Sequence, residues 1–115
     1  MFELTVESSF SGAHQLIKSN SPCENLHGHN WRVALTVRGD KQDATVGWVR
    51  DFKEIKNALQ KELEKFDHKY LNDVLPDSPT AENIARQIYK DLSGVLPVYK
   101  VTVWETDRAS VSYRE

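Results

Sequence analysis

The strongest constraint on the fold is an alternation at the start of the chain. Phe2, Leu4, Val6, Ser8 and Phe10 interleave with Glu3, Thr5, Glu7, Ser9 and Ser11. A period of two places successive side chains on opposite faces, so this segment reads as a half-buried β-strand. The strand runs out through Gly12-Ala13-His14, and His14 keeps the parity of the apolar set. On a regular strand it therefore points inward. Two readings are open for it: a strand-end histidine satisfied by one hydrogen bond, or a metal ligand.

A second strand is expected from Gly28 to Arg38. Trp31, Val33, Leu35 and Val37 share the parity of His27 and His29, and Arg32, Thr36 and Arg38 face the other way. The entry to this strand, Cys23-Glu24-Asn25-Leu26-His27-Gly28-His29, gathers a thiol, a carboxylate and two imidazoles. Two imidazoles on one face of an extended chain suit a divalent metal of zinc type, at about 2.0–2.1 Å per bond. Gly28 between them lets the backbone approach closely. The plainer alternative is a pair of surface histidines. Cys23 follows Pro22 in a polar loop opened by Ser19-Asn20-Ser21. It is either small apolar filler or a reactive thiol.

Further along, Gly39 to Asp43 reads as a loop or hairpin and Val46 to Val49 as a short extended piece. Asp51 has the character of an N-cap, with Glu54 at the capping-box position. Phe52, Ile55, Leu59, Leu63 and Phe66 then form a helical stripe. Asp67-His68 follows. It is either a helix terminus with a cationic residue near the negative end of the dipole, or a carboxylate that orients an imidazole for proton transfer. Thr80, after the turn Pro76-Asp77-Ser78-Pro79, can cap a second helix with its buried stripe at Ile84, Ala85, Ile88 and Leu92. Ser93-Gly94 stops that helix. Tyr99, Val101 and Val103 mark a third strand, and Ala109, Val111 and Tyr113 a last one. Glu105 continues the apolar parity of the third strand. A carboxylate there is either back in solvent or placed as an acceptor, since unpaired burial is expensive.

The order β-β-α-α-β-β implies one α+β domain over residues 1–115. A four-stranded antiparallel sheet would carry both helices on one face. Open sheet edges on so small a domain suggest that other copies cover them. Hydrophobic content of 39%, charged content of 28% and a net charge of −2 are those of an ordinary globular chain. The scattered basic residues argue against nucleic acid as a partner. There is no apolar run for a membrane span and no signal-peptide pattern, so neither membrane nor export is expected. A single cysteine allows no internal disulfide and fits a reducing cytoplasm.

Six segments together resemble the family of 6-pyruvoyl-tetrahydropterin synthase and the 6-carboxytetrahydropterin synthase of queuosine biosynthesis. They are Phe10 to His14, Cys23-x-x-x-His27-Gly28-His29, Val49 to Phe52, Asp67-His68-x-Tyr70-Leu71-Asn72, Pro79-Thr80-x-Glu82-Asn83 and Glu105-Thr106. The resemblance implies a tunnelling fold in which three subunits close a barrel and two barrels stack into a homo-hexamer, a dimer of trimers. It implies zinc on His14, His27 and His29. It implies a catalytic set of Cys23, Asp67 and His68, the last two reaching the site from a neighbouring subunit, and a pterin anchor at Glu105. The implied substrate is 7,8-dihydroneopterin triphosphate, and the spacing from cysteine to histidine resembles the queuosine-pathway branch. Glu24 stands where a related branch has a glutamate in place of the cysteine. That branch makes 6-hydroxymethyl-7,8-dihydropterin, a folate precursor, so the mixed Cys23-Glu24 form implies a dual activity. Two other readings are a pyruvoyl-type synthase and a non-catalytic zinc- and pterin-binding protein. The presence of Cys23, Asp67 and His68 together argues against the latter.

Overall fold

The computed structural model describes residues 1–115. The alternating start of the chain forms β1, Phe2–His14, and pairs along its whole length with β2, His27–Gly39. The register sets Phe10 opposite Trp31 and Val6 opposite Leu35, so the apolar parities of both strands fall on one face. β4, Val98–Thr106, pairs antiparallel with β2 and brings Val101 and Val103 opposite Leu35 and Val33. β5, Ala109–Tyr113, completes that side.

The expected four-stranded antiparallel sheet is a five-stranded mixed sheet, in the order β3-β1-β2-β4-β5. The extra strand is β3, Lys69–Tyr70, which runs parallel to β1 beside Gly12 and Ala13. Two residues carry no periodicity, which is why the alternation that marks the other strands is silent here.

Two long helices cover the apolar face as expected. α1, Phe52–Leu63, lies over β1, and α3, Ala81–Ser93, lies over β4 and β5. A single turn, α2, Leu71–Val74, precedes α3. Ile55, Leu59 and Leu63 from α1 and Ile84, Ala85, Ile88 and Leu92 from α3 join the strand residues in one core. Asp51 caps α1 by accepting from the Lys53 N–H, and Thr80 caps α3 by accepting from the Asn83 N–H. The Glu54 carboxylate turns to Arg50 at 2.7 Å instead of closing a capping box. Phe52, the first residue of α1, stays 58% exposed, because the packed part of the stripe begins one turn later at Ile55. The piece expected to be extended near Val46 is a turn, held by Asp43 Oδ1, which accepts the N–H groups of Thr45 and Val46. No helix is long and apolar enough to cross a membrane.

Two bulges on β4 correct its expected parity. One, between Thr36 and Val37 of β2, sets Val98 rather than Tyr99 opposite Val37. The Tyr99 ring instead lies under the Arg38 guanidinium, on the face away from the helices. The other shifts the β4–β5 register between Trp104 and Thr106, leaving Glu105 without a partner on β5.

One acidic residue in α1 is buried against α3. Glu62 keeps only 4% of its surface, and its Oε1 receives the Lys65 ammonium at 2.8 Å. Burial first, and the neighbouring Asp91 second, push its carboxyl up to about 7. Burial raises the Asp91 carboxyl too, but the neighbouring Glu62 carboxyl, the Gln87 amide that donates at 2.8 Å and the Lys65 ammonium at 3.6 Å outweigh it and hold that group low. Of the two neighbouring carboxyls, Glu62 is therefore the one that takes up a proton more readily. A carboxyl raised on folding stabilises the fold while it is protonated, and that stabilisation is lost as pH rises through the folded value. Unfolding free energy, measured by urea titration, should fall by about 2–3 kcal/mol between pH 5 and 8 through this group. Glu62→Gln should flatten that slope, and an equal slope in wild type and variant would dismiss the raised Glu62 carboxyl.

Candidate metal centre

The register that builds the core also builds the site. His14 closes β1 and stands directly opposite His27, the first residue of β2, with His29 two residues on. All three histidines share the face that carries the core, at its open end next to Trp31. His14 is fully buried, and His29 keeps 17% of its side-chain surface.

Hydrogen bonds assign the ring nitrogens. His14 Nδ1 lies 2.8 Å from the Pro79 carbonyl and His27 Nδ1 lies 2.7 Å from the Asn25 carbonyl. A carbonyl oxygen only accepts, so each Nδ1 carries the proton and each Nε2 holds a lone pair. Those two Nε2 atoms face each other at 2.9 Å. Two lone pairs at that distance suit a shared positive centre, a proton or a metal ion. His29 Nε2 is buried without a hydrogen-bond partner, and one nitrogen from each ring lies within 4.8 Å of the others. A tetrahedral ion with bonds of about 2.0–2.1 Å would hold its nitrogen ligands about 3.3–3.4 Å apart, inside that range. Burial first lowers the His29 pKa, the Glu105 carboxylate opposes this, and His14 and His27 lower it further. The ring is thus kept in the neutral form that ligates. The trio fits a divalent metal such as zinc and, being three protein ligands, leaves a fourth position for a small molecule.

The Glu105 bulge aims its carboxylate at this end of the sheet, with Oε1 3.6 Å from His29 Nε2. Glu105 is half-buried rather than enclosed. Asp67 and His68 stand in a turn beyond α1, four residues past its last residue, so they are no helix-end pair. Asp67 Oδ1 accepts the Ser11 N–H at 3.0 Å, and Oδ2 lies 3.0 Å from His68 Nδ1. The Ser11 N–H first, then His68, hold the Asp67 carboxyl below the usual carboxylate range. His68 adopts φ +58, in the left-handed region, and its N–H donates to the Ser11 carbonyl. With Nδ1 turned to Asp67, its Nε2 is free in an imidazole that is 82% exposed. His29, His68, Lys69 and Gln15 line one open cavity of about 760 Å³.

Cys23 and Glu24 occupy a 3₁₀ turn, Pro22–Glu24, capped by Ser21. Cys23 is half-buried and Glu24 exposed. Neither side chain makes a hydrogen bond to the histidines, and neither lines the cavity.

Sequence and backbone comparisons give the family and the fold. The family model described as 6-pyruvoyl tetrahydropterin synthase matches residues 3–115. The chain belongs to the 6-pyruvoyl tetrahydropterin synthase family. It is 38% identical to the 6-carboxy-5,6,7,8-tetrahydropterin synthase of Synechocystis sp., covering 98% of this chain and 93% of that protein. It is 32% identical to the dihydroneopterin monophosphate aldolase of Pyrococcus furiosus, over 90% of each. The structure of Caenorhabditis elegans 6-pyruvoyl tetrahydropterin synthase superposes with a TM-score of 0.84 at 29% identity, covering 100% of this chain and 97% of that one.

Within this pterin synthase fold, the groups invisible to sequence reasoning are the supports of the ligands. The Pro79 carbonyl precedes the Thr80 cap of α3, so the start of that helix orients His14. Asn25 does the same for His27, and both act through backbone oxygens, which no residue type announces. Gln15 is the third omission. It follows His14 directly and lies in a stretch that reads only as loop.

His14→Ala, His27→Ala and His29→Ala should each lower divalent-metal affinity at least about 10-fold, as removal of a ligand is at least as severe as removal of its orienting partner. Metal analysis of the purified variants measures this, and full occupancy in His14→Ala and His27→Ala would overturn the assignment.

Proposed function

We propose that this protein is a zinc-dependent 6-carboxy-5,6,7,8-tetrahydropterin synthase acting on 7,8-dihydroneopterin triphosphate in the cytoplasm, in the queuosine route. The observation that carries the reading is the pair of facing Nε2 lone pairs of His14 and His27, completed by the unpartnered Nε2 of His29. The extent of the match to the Synechocystis synthase supports the choice of product.

Each residue then has a role on this reading. His14, His27 and His29 hold the zinc. Bound there, zinc supplies Lewis-acid polarisation of the substrate's side-chain oxygens, which acidifies the neighbouring carbon-bound proton. Cys23, as thiolate, takes that proton. His68 returns it through Nε2, and Asp67 holds the imidazole by Nδ1. Glu105 accepts the two N–H groups on one edge of the pterin. One water is consumed: the phosphates leave as triphosphate and the outer two carbons as acetaldehyde. The carbon next to the ring becomes the carboxyl by internal redox, as the C6–N5 bond of the dihydropterin and the departing methyl carbon are reduced.

A second product is favoured by one feature. Glu24 lies beside Cys23 in the same 3₁₀ turn, and a relative at 32% identity is named an aldolase. On this reading Glu24 takes a hydroxyl proton instead, and carbon–carbon cleavage yields 6-hydroxymethyl-7,8-dihydropterin. We propose further that the working form is a hexamer in which Asp67 and His68 serve a neighbour's zinc. The long outer edge of β1, paired only at Gly12 and Ala13, and the free edge of β5 support this.

Incubation of the zinc-loaded protein with the triphosphate, followed by mass analysis, should give the carboxy product. Cys23→Ala should lose it by at least about 100-fold and keep part of the hydroxymethyl product, as removal of a general base does. Glu24→Ala should show the reverse, and an unaltered product ratio would return Glu24 to a loop residue. Light scattering should report a hexamer, and a fully active monomer would contradict the shared site.

A further inference from the structure

Gln15 makes more specific contacts than any other residue of the loop region, and none of the roles above uses it. Its backbone is fixed on both sides by one side chain. Asn72 Oδ1 accepts the Gln15 N–H at 3.0 Å, and Asn72 Nδ2 donates to the Gln15 carbonyl at 2.9 Å. Its side-chain amide joins two segments distant in sequence. The Tyr70 hydroxyl donates to Gln15 Oε1 at 2.7 Å, and Gln15 Nε2 donates to the Glu24 carbonyl at 3.3 Å. The amide orientation is set by chemistry, since a backbone carbonyl needs the NH₂ end. Next to it, the Leu16 N–H donates to the Cys23 carbonyl at 2.8 Å.

Each end of this bridge matters. Tyr70 follows Asp67-His68-Lys69 and, with Lys69, forms β3 against β1. Cys23 and Glu24 form the turn that Ser21 caps, and the Gln15 amide reaches it through the Glu24 backbone carbonyl. Gln15 itself lines the cavity with His29 and His68. We propose that Gln15 is a positioning residue, whose amide ties the Cys23-Glu24 turn to the Tyr70 segment and so sets where the thiol stands relative to the site. The role in turnover rests on the reading of Cys23 as the group that removes a proton. The tie itself does not.

Cys23 is the chain's single cysteine, so its alkylation reports the turn directly. Iodoacetamide labelling of the full-length metal-loaded protein, followed by intact mass from about pH 6 to 9, gives both accessibility and thiolate fraction. Gln15→Ala removes the tie. Gln15→Glu keeps the length but sets a carboxylate oxygen against the Glu24 carbonyl. Both should raise the alkylation rate about fivefold, the factor that one neutral hydrogen bond supplies. Tyr70→Phe should move the rate in the same direction by less, and the double variant with Gln15→Ala should match Gln15→Ala alone. With the triphosphate, kcat in Gln15→Ala should fall about fivefold or more while KM stays within about twofold, because positioning acts on the transition state. Bound metal and Tm should hold. Wild-type alkylation in both Gln15 variants, or strict additivity with Tyr70→Phe, overturns the proposal. A lower kcat without faster alkylation also overturns it. Should the wild type release no pterin product from the triphosphate, the assigned reaction falls, and the alkylation series still decides the tie.

Discussion

The pairing of β1 with β2 is the constraint on which the rest depends. His14 opposite His27 is the last pair of a ladder that starts at Phe2 opposite Gly39. A slip of one residue would send every side chain of one strand to the opposite face. It would expose Phe10 and Val6 and also part the histidines. The core therefore protects the site: apolar area buried along the ladder holds a metal geometry at its end. Phe10 stacks on Trp31 one turn of the pleat inward, with ring centroids 5.9 Å apart, and Trp31 Nε1 donates to the Gly12 carbonyl. Gly12 itself admits the Leu71 side chain, which a Cβ would meet at 3.2 Å. The turn carrying Asp67 and His68 can thus lie close against β1.

The three imidazoles are poised by groups from three separate regions. Asn25 belongs to the loop between β1 and β2, Pro79 to the entry of α3, and Glu105 to a bulge in β4. The two carbonyls fix tautomer and ring orientation of His14 and His27, whereas Glu105, 3.6 Å from His29 Nε2, acts on that ring through its charge. The Nε2 atoms of His14 and His27, 2.9 Å apart, converge on a point that suits a cation, whereas Glu105 nearby can receive hydrogen-bond donors from a ligand.

The Asp67-His68 turn and the Cys23-Glu24 turn lie more open to solvent than the three histidines. His68 is held by a left-handed backbone and by Asp67, yet its ring is largely in solvent. Cys23 and Glu24 stand on a short turn tethered through backbone carbonyls. The thiol of Cys23 and the carboxylate of Glu24 are adjacent on that turn. The family relationship gives the class of protein, a pterin synthase.

Residue pattern alone determined much of this protein. Alternation marked β1, β2, β4 and β5, helical stripes marked α1 and α3, and shared parity put His14, His27 and His29 on the core face. Those signals are legible because they follow from the period of the backbone, which is local. The conformation of the Asp67-His68 turn, the two-residue β3, the bulge that turns Glu105 and the exchange of Tyr99 for Val98 were decided only by tertiary structure. So were the carbonyls of Pro79 and Asn25, the Gln15 bridge and the burial of Glu62 beside Asp91. Each of these depends on which segments meet across the fold. A backbone oxygen has no residue type to betray it, and a carboxylate's partner is known only when two helices are packed together.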